Sequence, residues 1–196
     1  MLPDRIFVIG NVRSDEDAAR MPSYAAALEE GGCKWFSLRA KTLGVGARTR
    51  LFDEIRAAAP SLCLFVHGDP VPGADGVHLG AAGSIAAARA AGVKLIGISA
   101  HRRDELLRAR DDGADYATYS PIFPTVSKPG YGPALGLDAL REAAREIALP
   151  LVALGGIELL NARACIDAGA QAVAVLGAFA HADDPTAAFA AMRRTI

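Results

Sequence analysis

At 196 residues, with 52% hydrophobic and 22% charged side chains, the chain is long and apolar enough for one domain with a real core. Its 21 basic and 22 acidic residues leave a net charge of −1, which excludes a charge-driven affinity for nucleic acid or membrane. Charges or glycines interrupt every apolar segment before it reaches spanning length, and Met1 to Ile9 lacks the cationic head and long apolar run of a signal peptide.

Short β-like runs alternate with Ala-rich helical stretches along the chain. A strand over Arg5–Gly10 is followed by a helix over Tyr24–Glu30, a strand over Lys34–Lys41 and a helix over Thr49–Ala59. Two strands then come in succession, Leu62–Gly68 and Gly76–Gly80, before a helix over Ser84–Ala91. The strand Lys94–Ala100, helix Arg103–Asp112, strand Tyr116–Phe123 and helix Leu137–Ile147 continue the alternation. Strand Pro150–Ile157, helix Leu159–Ala168, strand Ala172–Phe179 and helix Pro185–Thr195 complete it. Most strand candidates are continuous apolar runs, as parallel strands buried on both faces require. Gly31-Gly32 and Gly92 mark helix ends, as do the related phrases Gly73-Ala-Asp75, Gly113-Ala-Asp115 and Gly169-Ala-Gln171.

Strict alternation predicts an α/β fold, a compact closed (β/α)8 TIM barrel occupying residues 1–196 as a single domain. An open doubly wound sheet would carry a glycine-rich turn after its first strand, and Gly10-Asn-Val-Arg is not one. Asp69–Asp75, with two prolines and a glycine, is too short for a helical crossover, so the helix between the third and fourth strands is expected to be missing. Cys33, Cys63 and Cys165 are distant and odd in number, which fits buried reduced thiols of a cytoplasmic protein.

In such a barrel the C-terminal ends of the strands face the active site. They bring together Arg39, Lys41 and Lys128 as cations, with Ser99, Thr125 and Ser127 as hydroxyls, a constellation suited to phosphate or pyrophosphate. Ser37 shares the face of Arg39 and Lys41. Strand three ends in His67, Gly68 and Asp69, strand seven in Gly155 and Gly156, strand eight in Gly177. The double glycine permits close backbone approach to a phosphate, with a helix from about Leu159 adding its N-terminal field. His78 reads as a packed histidine, His181 as a surface one, and His67 and His101 as acid/base candidates at the rim. A small phosphorylated substrate follows from this set.

The run Phe36-Ser-Leu-Arg-Ala-Lys41, then Asp75-Gly-Val-His-Leu-Gly80 and Ile96-Gly-Ile-Ser-Ala-His101, resembles thiamine phosphate synthase. So do Ser120-Pro-Ile-Phe-Pro-Thr-Val-Ser-Lys128 and Ala153-Leu-Gly-Gly-Ile157, and the likeness covers nearly the whole chain. The resemblance implies a transferase of thiamine biosynthesis that joins hydroxymethylpyrimidine pyrophosphate to thiazole phosphate. It implies loss of pyrophosphate aided by Mg²⁺ and by Arg39, Lys41 and Lys128, with Ser99 beside the reacting pyrimidine. Thr125, Ser127, Gly155 and Gly156 match the thiazole phosphate site, and a homodimer is implied as well. Three positions depart from the family pattern: Ser37 stands where Gln is usual, and Gly68 and Gly83 stand where Mg²⁺-binding aspartates are usual, leaving Asp69 as the metal candidate. The superfamily also includes the TenI-type thiazole tautomerases. A tautomerase, or a non-catalytic binder of phosphorylated ligands, is thus the alternative; Pro121 stands where the tautomerases carry histidine.

Overall fold

The computed structural model describes residues 1–125, 133–176, 179 and 182–196. Of the residues singled out above, Ser127, Lys128, Gly177 and His181 lie outside this set. Eight parallel strands close into a barrel in chain order: β1 (Ile6–Asn11), β2 (Trp35–Arg39), β3 (Cys63–His67), β4 (Gly76–Leu79), β5 (Leu95–Ala100), β6 (Tyr116–Tyr119), β7 (Leu151–Leu154) and β8 (Ala172–Val175). β1 pairs with both β2 and β8, which completes the circle. Helices α1 (Asp15–Glu30), α2 (Val45–Ala58), α3 (Ile85–Ala90), α4 (Arg103–Asp111), α5 (Gly136–Glu146), α6 (Ala162–Asp167) and α7 (Pro185–Thr195) follow every strand except β3. The expected (β/α)8 barrel and its missing crossover helix are both present.

Side-chain alternation along each strand divides the apolar residues into two sets. Phe7, Ile9, Trp35, Phe65, Tyr116, Val152, Ala172 and Ala174 fill the barrel interior. Their strand neighbours, such as Ile6, Val8, Phe36, Leu64 and Val66, join the larger core under the helices. Phe7 stacks on Trp35 at 4.1 Å, and Tyr116 meets the Trp35 ring edge-on at 4.9 Å. A Cβ at Gly97 would lie 2.0 Å from the Tyr116 ring, so glycine is what lets this tyrosine lie across β5.

The repeated glycine phrases have a common local cause. Gly92, Gly113 and Gly169 adopt positive φ just past α3, α4 and α6. In each case the glycine N–H bonds back three residues and the next N–H bonds back five, as in Val93 to Ala88, Ala114 to Ala109 and Ala170 to Cys165. Gly32 ends α1 in the same way. In Gly73-Ala-Asp75 and Gly113-Ala-Asp115 the Asp that follows then clamps the strand before it. Asp75 Oδ2 accepts from Leu64 N–H and Arg56, and Asp115 Oδ2 accepts from Ile96 N–H (2.6 Å) and Arg89 (2.7 Å). These clamps lie at the N-terminal ends of the strands, the face that secures a barrel rather than serving its chemistry.

Several element bounds differ from expectation, three of them for a clear local reason. α1 begins at Asp15 and not Tyr24, because Ser14 caps it through Asp17 N–H and three acidic residues occupy the first turn. β6 stops at Tyr119, and Ile122 and Phe123 pair beyond it with Leu154 at the end of β7 and with Gly155 just after it. α6 begins at Ala162: Leu159 and Leu160 are exposed in a turn closed by Asn161, whose Oδ1 accepts from Glu158 N–H. The double glycine is therefore not followed directly by a helix, and the N-terminal field expected from Leu159 is absent there. Among the described residues no helix is long and apolar enough to cross a membrane.

Candidate active site

Above its aromatic floor the barrel interior turns polar. β2 contributes Trp35, Ser37 and Arg39 to the inner face, and β3 contributes Phe65 and His67. At the next level His78 bridges β4, β5 and β6: its Nδ1 lies 3.0 Å from the Tyr116 hydroxyl and its Nε2 3.1 Å from Ser99 Oγ, with Thr118 Oγ1 at 3.4 Å. Burial lowers the His78 pKa to about 3, so the ring is neutral. His78 is the packed, hydrogen-bonded histidine that the sequence predicts. Ser99 is its partner, which holds that hydroxyl at the inner wall below the rim.

The His67 ring lies 4.8 Å from that of His78. Burial, then His78, Arg39 and Lys41, hold His67 well below the usual histidine range. Arg39 and Lys41 thus stand near enough to oppose a positive charge on His67. His67 Nε2 and Ser37 Oγ are both out of solvent with no hydrogen-bond partner. Buried polar atoms rarely stay unpaired in a native structure, and two orphans on adjacent strands inside the barrel are places for a ligand's polar atoms.

Arg39 ends β2 opposite Asn11, which ends β1. The Asn11 side-chain oxygen accepts from the Arg39 guanidinium, fixing the half-buried cation at the mouth. Lys41, two residues further on, is exposed in the turn after β2. On the far side of the chain's circuit, Gly155 and Gly156 carry φ of +95° and +64°. A Cβ on Gly155 would lie 2.7 Å from Pro121 Cα, and one on Gly156 would lie 2.5 Å from the Pro124 carbonyl. The double glycine thus lets the β7 exit pack against the loop that leads to Thr125. His101 donates from Nδ1 to the Ser120 carbonyl at 2.8 Å, which ties it to the base of the same loop.

Asp69 is the carboxylate nearest the end of β3. Its side chain is 90% exposed, and its charged neighbour is Arg48, 4.0 Å away. Among the described residues, no group of three or more His, Cys, Asp or Glu side chains is arranged to hold a metal ion. A lone solvated carboxylate facing a guanidinium does not fit a protein-built Mg²⁺ centre.

Arg48 is the residue that the strand-end reading missed. It lies in the first turns of α2 and is buried together with Leu51, Phe52 and Ile55. That spacing is the signal that was available: a basic residue in register with the apolar face of an amphipathic helix.

The profile of a family described as thiamine monophosphate synthase matches residues 6–179. The thiamine-phosphate synthase of Methanocella arvoryzae is 47% identical over 118 residues, 59% of this chain, and the alignment spans 56% of that relative's length. The thiamine-phosphate synthase of Methanoregula boonei is 38% identical over 197 residues, covering 96% of this chain and 88% of the relative. Among solved structures, the thiamine phosphate pyrophosphorylase from Pyrococcus furiosus superposes with a TM-score of 0.83 at 28% identity, covering 97% of this chain and 94% of that one. Chain-long similarity, the closed barrel and the cationic mouth agree, and the chain belongs to the thiamine monophosphate synthase family.

Proposed function

We propose that this single-domain protein is a thiamine-phosphate synthase, joining hydroxymethylpyrimidine pyrophosphate to thiazole phosphate in thiamine biosynthesis. The observation that carries this reading is the combination, at one barrel mouth, of a fixed cation with histidines kept neutral. In the reaction the bond between the pyrimidine methylene and the pyrophosphate oxygen breaks, and the electron pair leaves on pyrophosphate. The thiazole nitrogen lone pair then forms the new carbon–nitrogen bond. No proton moves at the reacting atoms, so the site needs positive charge around the leaving group more than it needs a base.

Arg39, oriented by Asn11, supplies that charge from β2, with Lys41 beside it and Lys128 as the third cation. Ser37 and His67, with their orphaned atoms, line the polar chamber that receives the pyrimidine ring. Ser99 presents its oxygen from the wall while His78 holds it in place. Thr125, Ser127, Gly155, Gly156 and Gly177 form the thiazole phosphate side. The donor set around Asp69 does not fit a resident Mg²⁺, and no step is assigned to a metal. A proton-shifting tautomerase is less well served, because His67 and His78 are both strongly weakened as bases. A homodimer, implied by the family, and a cytoplasmic setting, read from the reduced cysteines, belong to the same proposal.

The test is product formation from the two substrates, with Mg²⁺ and with chelator. Thiamine phosphate appearing with release of pyrophosphate establishes the synthase. A folded protein that binds thiazole phosphate yet makes no product overturns it.

A further inference from the structure

Arg48 is an unusual resident of a helix–barrel interface. Its side chain is 10% exposed, its Nε is buried with no partner, and it donates no hydrogen bond within the described residues. Its acidic neighbour, Asp69, is 4.0 Å away and almost fully in water, so the guanidinium is close to uncompensated. A buried cation with unused donors is strongly disfavoured unless something completes its shell.

The surroundings say where that completion comes from. α2 follows β2, so its first turns stand at the C-terminal mouth, between the exits of β2 and β3. The residue after β3, Gly68, has φ of +88° and no side chain, and a Cβ there would lie 4.0 Å from Arg48 Nη1. Immediately before it is His67, whose Nε2 is also orphaned. The guanidinium therefore lies against the open backbone of the β3 exit, one residue along the chain from His67.

We propose that Arg48 is an anion-binding residue of the active-site mouth, which contacts the pyrophosphate group and supplies from the protein a fixed positive charge at the β3 exit. The inference rests on the synthase reading for the identity of the anion, and it accounts for the misfit of the acidic residues to a metal centre. A planar fork of N–H donors suits a bidentate phosphate contact, and its charge, unlike that of a loosely held cation, does not depend on the medium.

The experiment is calorimetric titration of inorganic pyrophosphate into the full chain in the presence of chelator, comparing the wild type with Arg48→Met, Arg48→Lys and Asp69→Asn. The wild type is expected to bind without divalent cation. Arg48→Met should weaken binding roughly tenfold or more, as loss of a charged hydrogen bond does. Arg48→Lys should keep part of the affinity. Asp69→Asn, which leaves Arg48 and its packing intact, should tighten binding by removing a competing negative charge. Equal affinity of Arg48→Met and wild type, or weaker binding by Asp69→Asn, would overturn the proposal. So would wild-type binding that appears only when Mg²⁺ is restored. Because the readout is binding, failure of thiamine phosphate synthesis in the wild type would count against the synthase reading while leaving the assignment of Arg48 to stand or fall by the titration.

Discussion

The Tyr116 hydroxyl and His78 Nδ1 stand 3.0 Å apart inside the barrel. The hydroxyl has no other acceptor among the described residues and burial raises its pKa well above the usual value, so it donates to Nδ1. Nε2–H is then free to donate to Ser99 Oγ. The tautomer of a histidine with no contact to solvent is thereby set by a tyrosine on another strand.

A pH dependence of stability follows. His78 titrates at about 3 in the fold against 6.5 as its ordinary value, and His67 is shifted in the same direction. Between those values the unfolded chain binds protons that the native one refuses, so stability is fully present above about pH 6.5 and falls as pH drops toward the folded pKa. The slope should approach about 1.4 kcal/mol per pH unit for each histidine. Urea denaturation at a series of pH values checks it: His78→Gln should flatten the slope, and an unchanged slope would contradict the neutral assignment.

Arg39→Gln should lower turnover by about a hundredfold or more, the scale seen when one preorganised charge donor is lost from a transition state. The melting temperature should barely move, since Arg39 is half-buried at the rim and Asn11 is its side-chain partner among the described residues. Lys128→Ala is expected to act likewise. Steady-state rates and a thermal melt on the same preparations separate the two effects.

Substitution of Gly156 by alanine meets two obstacles, a φ of +64° and a Pro124 carbonyl 2.5 Å from the new Cβ. The expected loss is about 2–4 kcal/mol, combining backbone strain with overpacking. Because the change pushes on the loop leading to Thr125, turnover should fall in the same variant, measured at a temperature where it is fully folded.

Asp115→Ala should give the opposite pattern. It removes the acceptor for Ile96 N–H and for Arg89 at the N-terminal face. Stability should fall by about 1–3 kcal/mol. The rate constant per folded molecule should stay at the wild-type value, and a lowered rate would mean that the two ends of the barrel are coupled.

The barrel was legible in the sequence because most of its strands are continuous apolar runs and α1, α3, α4 and α6 end on glycine, two signals set by local chemistry. The boundaries were less so. Ile122 and Phe123 have strand-like character, but they lie in an irregular segment whose N–H groups go to Leu154 at the end of β7 and to Gly155, a tertiary pairing that no local pattern encodes. α1 runs through Pro22, and the capping Ser14 and the acidic turn after it were the better guide to its start. Arg39, Ser37 and His67 were readable because strand alternation places them on one face. Arg48 was not, since it lies on a helix, away from the strand ends, and its burial depends on where α2 lies against β3.

The glycine and aspartate clasps at the N-terminal face bear on how this family tolerates change. Each of the two clasps, at Asp75 and Asp115, is local, closing one strand onto the turn that follows. The segment between β3 and β4 lacks a helix, yet Asp75 still grips Leu64 and Arg56 there. A crossover can therefore be shortened to a few residues without loosening the ring, and loops at the opposite rim can be exchanged independently of it. Two of the staves are latched in this way at the N-terminal end, opposite the rim where new specificity can be tried.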